Sequence, residues 1–348
     1  MAVDPSLWMR GSTWHTIVGR SDTTMAMTWK TQTASHRRWK VCRSTSRAEG
    51  SLKPLQEALE AAQALPPSQR SLPTSTAGID AAMKALAEEG VLRKWNLAME
   101  NAPRRRSLFA RELKQATGLE DTSAIARPSA RNDAVFLAGV VGGSSIAAVL
   151  AGALLPGQIG FWGQYLIGGI SIAVLAIGST APGLLQAGIE RAGQIFPEYR
   201  ERVVRHEAAH FLIAYLLGVP IAAYSLEMGR QHVDLAQAAL QRQLLAGRLE
   251  DEELDRLALV AMAGVAGECT KFQDVMGQTA DLMDLQRMMN RSDKKLSDSE
   301  QQNLTRWAVY QACTMLKQNQ NAYDALVETM KKGGSVYDCI KAIEDAKN

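Results

Sequence analysis

The chain has 348 residues, 46% of them hydrophobic and 22% charged, with a formal net charge of +3. So small an excess of positive charge, with no aromatic and basic patch, argues against a nucleic-acid partner. The four cysteines, Cys42, Cys269, Cys313 and Cys339, form no C-x-x-C pair, which argues against a thiolate zinc site and against a disulfide framework.

Residues 1–47 read as an address, not a fold. They hold eight basic residues, only two acidic ones (Asp4 and Asp22) and fourteen serines and threonines. No apolar run is present to serve as a secretory core. Basic, hydroxyl-rich and acid-poor composition is that of an organellar transit peptide, and the richness in Ser and Thr points to a plastid. The plain alternative is a disordered basic tail.

Residues 51–126 are polar with a helical pattern. Leu52, Leu55, Ala58, Leu59 and Ala62 fall at helical spacing until Pro66-Pro67. A second helix is expected from near Thr76 to Gly90, with Val91 to Trp95 continuing after a break. Arg104-Arg105-Arg106 is expected to form a solvated face. Nothing here carries chemistry, and the segment reads as a soluble helical interaction or spacer module.

Residues 134–189 contain no charged side chain. Two apolar runs, Ala134–Leu155 and Leu166–Ala181, flank Pro156-Gly157. The first run, of 22 residues, is enough to cross a hydrocarbon core of about 30 Å, and the second, shorter by itself, extends through Pro182 to Leu185. Trp162 and Tyr165 suit a membrane interface. Gly142, Gly143, Ser144, Gly168 and Gly169 would let two helices pack closely. The expectation is a transmembrane helical hairpin. Arg127, Arg131, Arg191, Arg200 and Arg202 near its ends place both ends on the stromal or cytoplasmic side.

The stretch that carries chemistry follows at once. His206-Glu207-Ala208-Ala209-His210 reads H-E-x-x-H. On a helix, residues four apart share a face, so His206 and His210 can offer two imidazoles to one ion. Glu207 lies about 100° round the helix and can act as base toward a water held there. The bland reading is two satisfied core histidines. Against it, the motif uses two of the five histidines, and two others, His15 and His36, fall in the address segment. Phe211 to Leu217 carries the helix on until Gly218 and Pro220 stop it.

Beyond the motif, Ile221–Leu226 reads as a short strand, and Asp234–Leu245 and Leu254–Phe272 as helices. Gly277 reads as a helix stop with Thr279 as the next N-cap, and 299–346 as helical with Gly333-Gly334 as a turn. A catalytic zinc usually has three protein ligands. Asp281, Asp284, Glu268 and His232 are the candidates for the third, and spacing alone does not choose among them.

Residues 198–348 resemble the peptidase domain of the FtsH family of membrane-anchored zinc proteases. His206 to His210 is similar to that family's HEAGH helix, with Ala209 in place of glycine. Ala261–Glu268 resembles its Gly/Ala/Glu-rich helix, and Gly277-Gln278-Thr279-Ala280-Asp281-Leu282 its G-x-S-x-D-L segment. The resemblance implies a mainly α fold, Zn2+ held by His206, His210 and Asp281, Glu207 as catalytic base, and protein or peptide substrates. With the address and the hairpin, it implies a plastid relative in the envelope or thylakoid membrane, its peptidase domain on the stromal side. The family's motor is not evident. The sequence contains no Gly-Lys dipeptide and so no G-x-x-x-x-G-K-[ST] loop, which makes an AAA ATPase or FtsH-like subunit an expected partner.

Two other readings compete. An intramembrane site-2 protease would share His210-Phe211-Leu212 and Gly218-Val219. It would need the motif inside a membrane-spanning helix and a later L-D-G, which does not occur. A membrane-anchored assembly or scaffold subunit with an inactive peptidase fold would explain the missing motor.

Overall fold

The computed structural model describes residues 52–65, 73–99, 103–126, 131–180, 197–227, 232–235 and 249–347. The expected transit peptide, the end of the hairpin beyond 180 and most of the helix expected from Asp234 lie outside them. The described part is mainly helical.

Three N-terminal helices come first: α1 (Lys53–Gln63), α2 (Pro73–Glu88) and α3 (Ala110–Thr117). A proline in the first turn starts α1, where its missing N–H costs nothing. The Glu112 carboxylate accepts from the Phe109 N–H at the start of α3, and Gly118, at φ +74°, ends it. The apolar helix pair α4 (Arg131–Leu154) and α5 (Gly157–Thr180) follows, then α6 (Pro197–Leu216), which carries the H-E-x-x-H motif. Strands β1 (Ile221–Ser225) and β2 (His232–Leu235) pair antiparallel, with Ser225 opposite His232. Six helices of the C-terminal half complete the description: α7 (Asp251–Ala261), α8 (Ala263–Cys269), α9 (Gln278–Met289), α10 (Asp298–Gln318), α11 (Gln320–Lys331) and α12 (Val336–Asp345). Capping boxes at Ser297/Glu300 and Ser335/Asp338 fix the starts of α10 and α12.

The core is built round α6. Every side chain from His206 to Leu217 is buried, and α7, α8, α10, α11 and both strands pack on it. The helix ends in a Schellman motif: Val219 N–H donates to Ala214 O at 2.9 Å and Gly218 N–H to Tyr215 O at 3.1 Å, with Gly218 at φ +68°.

Apolar residues of the N-terminal segment join the same core. Val91 to Trp95, expected as helix, is irregular and docks on the far end of the chain. The Lys94 ammonium donates to Ile343 O at 2.7 Å and Ala346 O at 2.6 Å, capping α12. Glu344 accepts from the backbone N–H of Arg93 and Lys94 and from the Tyr215 hydroxyl. Trp95 meets the Tyr215 ring edge-on at 5.2 Å. The arginine run is only partly a solvated face, because Arg105 lies 3.2 Å from Asp255 and Arg106 pairs with Glu112 at 2.8 Å.

Other boundaries differ from the sequence reading in small ways. Asp234 and Leu235 belong to β2, not to a helix. The helix expected over Leu254–Phe272 breaks at Met262, whose backbone leaves the helical region at φ −95°, ψ 6°. Helix α9 starts earlier than Thr279, with Gly277 at its N-cap position.

Helices α4 and α5 form an antiparallel pair of 24 residues each, about 36 Å long at 1.5 Å per residue. Within them, Leu137–Leu154 and Gly157–Ile177 are long and apolar enough to cross a membrane, and only 11% and 6% of these spans are buried in the fold. Ser144 and Ser171 share a hydrogen bond of 2.6 Å between the helices. The outward faces carry Ile146, Leu154, Phe161, Trp162, Tyr165 and Ile172, all exposed. The motif helix α6 does not meet the same criterion. Glu198, Arg200, Glu201, Arg202 and Arg205 fill its first half, so the intramembrane placement that a site-2 protease needs is not found.

Candidate metal centre

Helix α6 presents His206 and His210 one turn apart on its buried face. Their ring centroids are 4.8 Å apart. Asp281 enters from the first turn of α9. Its carboxylate lies 3.2 Å from His206 Nε2 and 3.4 Å from His210 Nε2. The three ligand atoms all fall within 4.8 Å of one another, and among the described residues this is the one such group of three or more His, Cys, Asp or Glu side chains.

The opposite ring nitrogens are fixed by partners. His210 Nδ1 lies 2.8 Å from Val260 O. A carbonyl can only accept, so Nδ1 carries a proton, and in the neutral ring the lone pair is on Nε2, the atom that faces Asp281. His206 Nδ1 lies 2.9 Å from Glu268 Oε1, the carboxylate–histidine arrangement that orients metal ligands.

Glu268 is thus behind the site. Its four partners are His206 Nδ1, the Gly277 N–H at 3.0 Å, the Met276 N–H at 2.9 Å and Arg202 Nη1 at 2.9 Å. Arg202 in turn donates to Asp274 O and Oδ1, each at 2.8 Å, and stacks over the Phe272 ring at 4.0 Å. A buried carboxylate with this many donors stays charged. Burial alone would raise its pKa, but His206 and Arg202 hold it below the usual value.

Two glycines make room. A Cβ on Gly264 would overlap the His206 ring, and one on Gly277 would come within 2.8 Å of both Glu268 Oε1 and His206 Cε1. These positions require glycine for close approach.

The charges match a cation site. Burial would raise the Asp281 pKa, yet the two imidazoles hold it well below the carboxylate range. Burial would lower both histidines, yet Asp281 raises each of them. Glu207 is buried and its pKa is raised by desolvation. Its Oε2 atom is buried without a hydrogen-bond partner among the described residues, while the Asp281 carboxylate faces only the two Nε2 atoms, at 3.2 and 3.4 Å. An orphaned buried oxygen beside two imidazole nitrogens and a carboxylate fits a bound divalent ion. Two nitrogens and one carboxylate are a donor set for a transition metal of zinc's kind.

A cavity of about 190 Å3 opens beside this group. Its polar wall is Glu207, His210, Asp281, Asp284 and His232, and its apolar wall includes Leu257 and Met288. Of the four candidates for a third ligand, the structure therefore brings Asp281 into the cluster, sets Glu268 behind His206, and leaves His232 and Asp284 on the cavity wall. Arg202 escaped the sequence reading as a site residue, although its position one turn before His206 on the same helix face was a usable signal.

No family model, no curated protein and no solved structure matches this chain.

Proposed function

We propose that the chain is a membrane-anchored zinc endopeptidase of the FtsH-like kind, held in a plastid membrane by α4 and α5. The observation that carries the reading is the convergence of His206, His210 and Asp281 within 4.8 Å, beside the buried and partnerless Glu207 Oε2. His206, His210 and Asp281 would hold the ion, which when bound polarises the scissile carbonyl and acidifies a water.

The residues do the rest. Glu268, anchored by Arg202, keeps the His206 ring oriented, and Val260 O does the same for His210. Glu207 takes a proton from the attacking water and returns it to the leaving amine as the C–N bond breaks. Desolvation of Glu207 suits that task, because a raised pKa brings a carboxylate nearer the working pH. The hairpin supports membrane anchoring through its length, its exposed apolar faces and its lack of charge.

The test is Glu207→Gln in the full-length chain, assayed on an unfolded protein or peptide. Cleavage should fall by at least about a thousandfold with the metal still bound, since the base is lost and the ligands are not. Cleavage at the wild-type rate in Glu207→Gln contradicts the reading. Absence of cleavage in both, with metal bound, transfers support to a scaffold role alongside an AAA protease.

A further inference from the structure

One stretch of the surface is used by neither the ion nor the base. Among the described residues Phe109 is the most exposed large apolar side chain, at 76%, above any on α4 or α5. A single exposed ring is ordinary on a protein surface. Here the residues round it are cations. Arg104 precedes it, and Arg111 and Lys114, three apart, share the outward face of α3 while Leu113 and Thr117 face the core. All three cations are exposed, and none is in an ion pair among the described residues. The acidic neighbours are Glu112, which Arg106 engages at 2.8 Å, and Glu120 and Asp121 beyond the end of the helix.

The backbone on both sides of the ring is fixed. Leu108 N–H donates to Asn303 Oδ1 at 3.2 Å, and Asn303 Nδ2 donates to Arg106 O at 3.1 Å, which ties the segment to α10. Phe109 N–H donates to Glu112 at 3.1 Å, and Arg106 lies over the Tyr310 ring at 5.4 Å. The place of the segment in the chain sets what it faces. Helix α3 packs on a 3-10 turn, Thr122–Ala126, and α4 begins at Arg131. Five Cα steps (131 − 126) reach at most about 18 Å. A hydrocarbon core is about 30 Å thick. The turn and α3 therefore stay on the side of a membrane from which α4 would enter it, with Ala126 no more than about 18 Å from the start of α4.

We propose that Phe109, Arg104, Arg111 and Lys114 are a docking surface for the anionic phospholipid headgroups of the membrane that α4 and α5 span. The inference rests on the anchoring part of the function proposed above and is independent of peptide hydrolysis. The cations meet headgroup phosphates, each favouring the charged surface by about fivefold. Phe109 enters the boundary between headgroups and acyl chains, where an apolar ring leaves water. The link to α4 holds the patch at high effective concentration beside the bilayer, so these few contacts suffice. Docking lays the folded body against the membrane by its N-terminal face. Salt weakens it, because the attraction is screened over about 10 Å at roughly 0.1 M ionic strength.

The experiment places the photoreactive residue p-benzoylphenylalanine at position 109 of the full-length chain, in vesicles of phosphatidylcholine alone or mixed with phosphatidylglycerol. The same group at position 283 is the comparison, because Met283 is also exposed, at 58%, and lies on α9. The readout is the fraction of chains that gain the mass of one lipid on illumination. The expected result is lipid adducts from position 109 in the mixed vesicles, about fivefold or more above those from position 283. The yield falls by a similar factor in phosphatidylcholine alone, in about 1 M salt, and in the variant carrying Arg104→Gln, Arg111→Gln and Lys114→Gln together. Adducts from position 109 no more frequent than from position 283, or unchanged by loss of the three cations, in a chain that alkaline carbonate leaves in the vesicles, overturn the inference alone and return the patch to a solvated face. A chain that carbonate releases removes the anchoring and this inference with it.

Discussion

Gly264 and Gly277 press against the His206 ring from two different segments, and Glu268 holds that ring by its far nitrogen. The proposed metal centre should therefore be sensitive to changes that remove no ligand. Glu268→Gln keeps the shape but weakens the bond to Nδ1 and strands Arg202 without its buried charge partner. Zinc affinity should fall by about ten- to a hundredfold, as is usual for such supporting partners. Gly264→Ala should do the same by displacing the ring. Competition with a chromogenic chelator measures both, and wild-type affinity in both variants would contradict this account of the site. At this scale the sequence was legible where the chemistry is local. His206, Glu207 and His210 follow from helical periodicity alone. Asp281 stands 75 positions on from His206, and its selection over Asp284, Glu268 and His232 came from family resemblance. Arg202 stood one turn before the motif but its partner Glu268 lies 66 positions on (268 − 202), and Gly264 was invisible because its partner His206 lies 58 positions back (264 − 206).

Helix α6 is tied to its neighbours by charge as well as by packing. Glu201 meets Lys271 just after α8, Arg205 on its own helix at 3.1 Å and Lys331 at the end of α11 at 3.7 Å. The hydrogen bond from Lys271, with these other cations, lowers the Glu201 pKa from 4.5 to about 2. A depressed carboxylate pKa contributes stability that is complete above the unfolded value and lost as pH falls through the folded one. Glu201→Gln should cost about 1 kcal/mol at neutral pH, because the group is partly solvated and screened. The difference from wild type should shrink as pH falls from about 4.5 to about 2. Urea titrations at several pH values test this, and a difference independent of pH would contradict it. Helix existence was largely readable from spacing, capping residues and glycines. Element contacts were not. The docking of Lys94 on the carbonyls of Ile343 and Ala346 joins residues about 250 positions apart, and no local pattern announces it. The break at Met262 was hidden for another reason: Ala261 and Ala263 on either side of it both favour helix, so local propensity gives no stop there.

At the scale of the whole molecule, one part is a buried-core fold and the other exposes apolar helix faces that water would not tolerate. That contrast was legible from composition, since an uncharged stretch of this length is rare in a solvated surface. If α4 and α5 anchor the chain as proposed, alkaline carbonate washing of membranes containing it should leave it in the pellet, because the two helices would bury about 30 Å of apolar length in lipid. Release into the supernatant would contradict the anchoring. The central claim is the metal centre itself, and its most direct test is metal analysis of purified full-length protein, wild type beside Asp281→Ala. The account predicts about one zinc per wild-type chain and a loss in the variant, since two histidines alone make a weak site. A folded wild type that takes up no zinc when offered it would contradict the account, and His206 and His210 would then be core residues paired with Asp281 and nothing more.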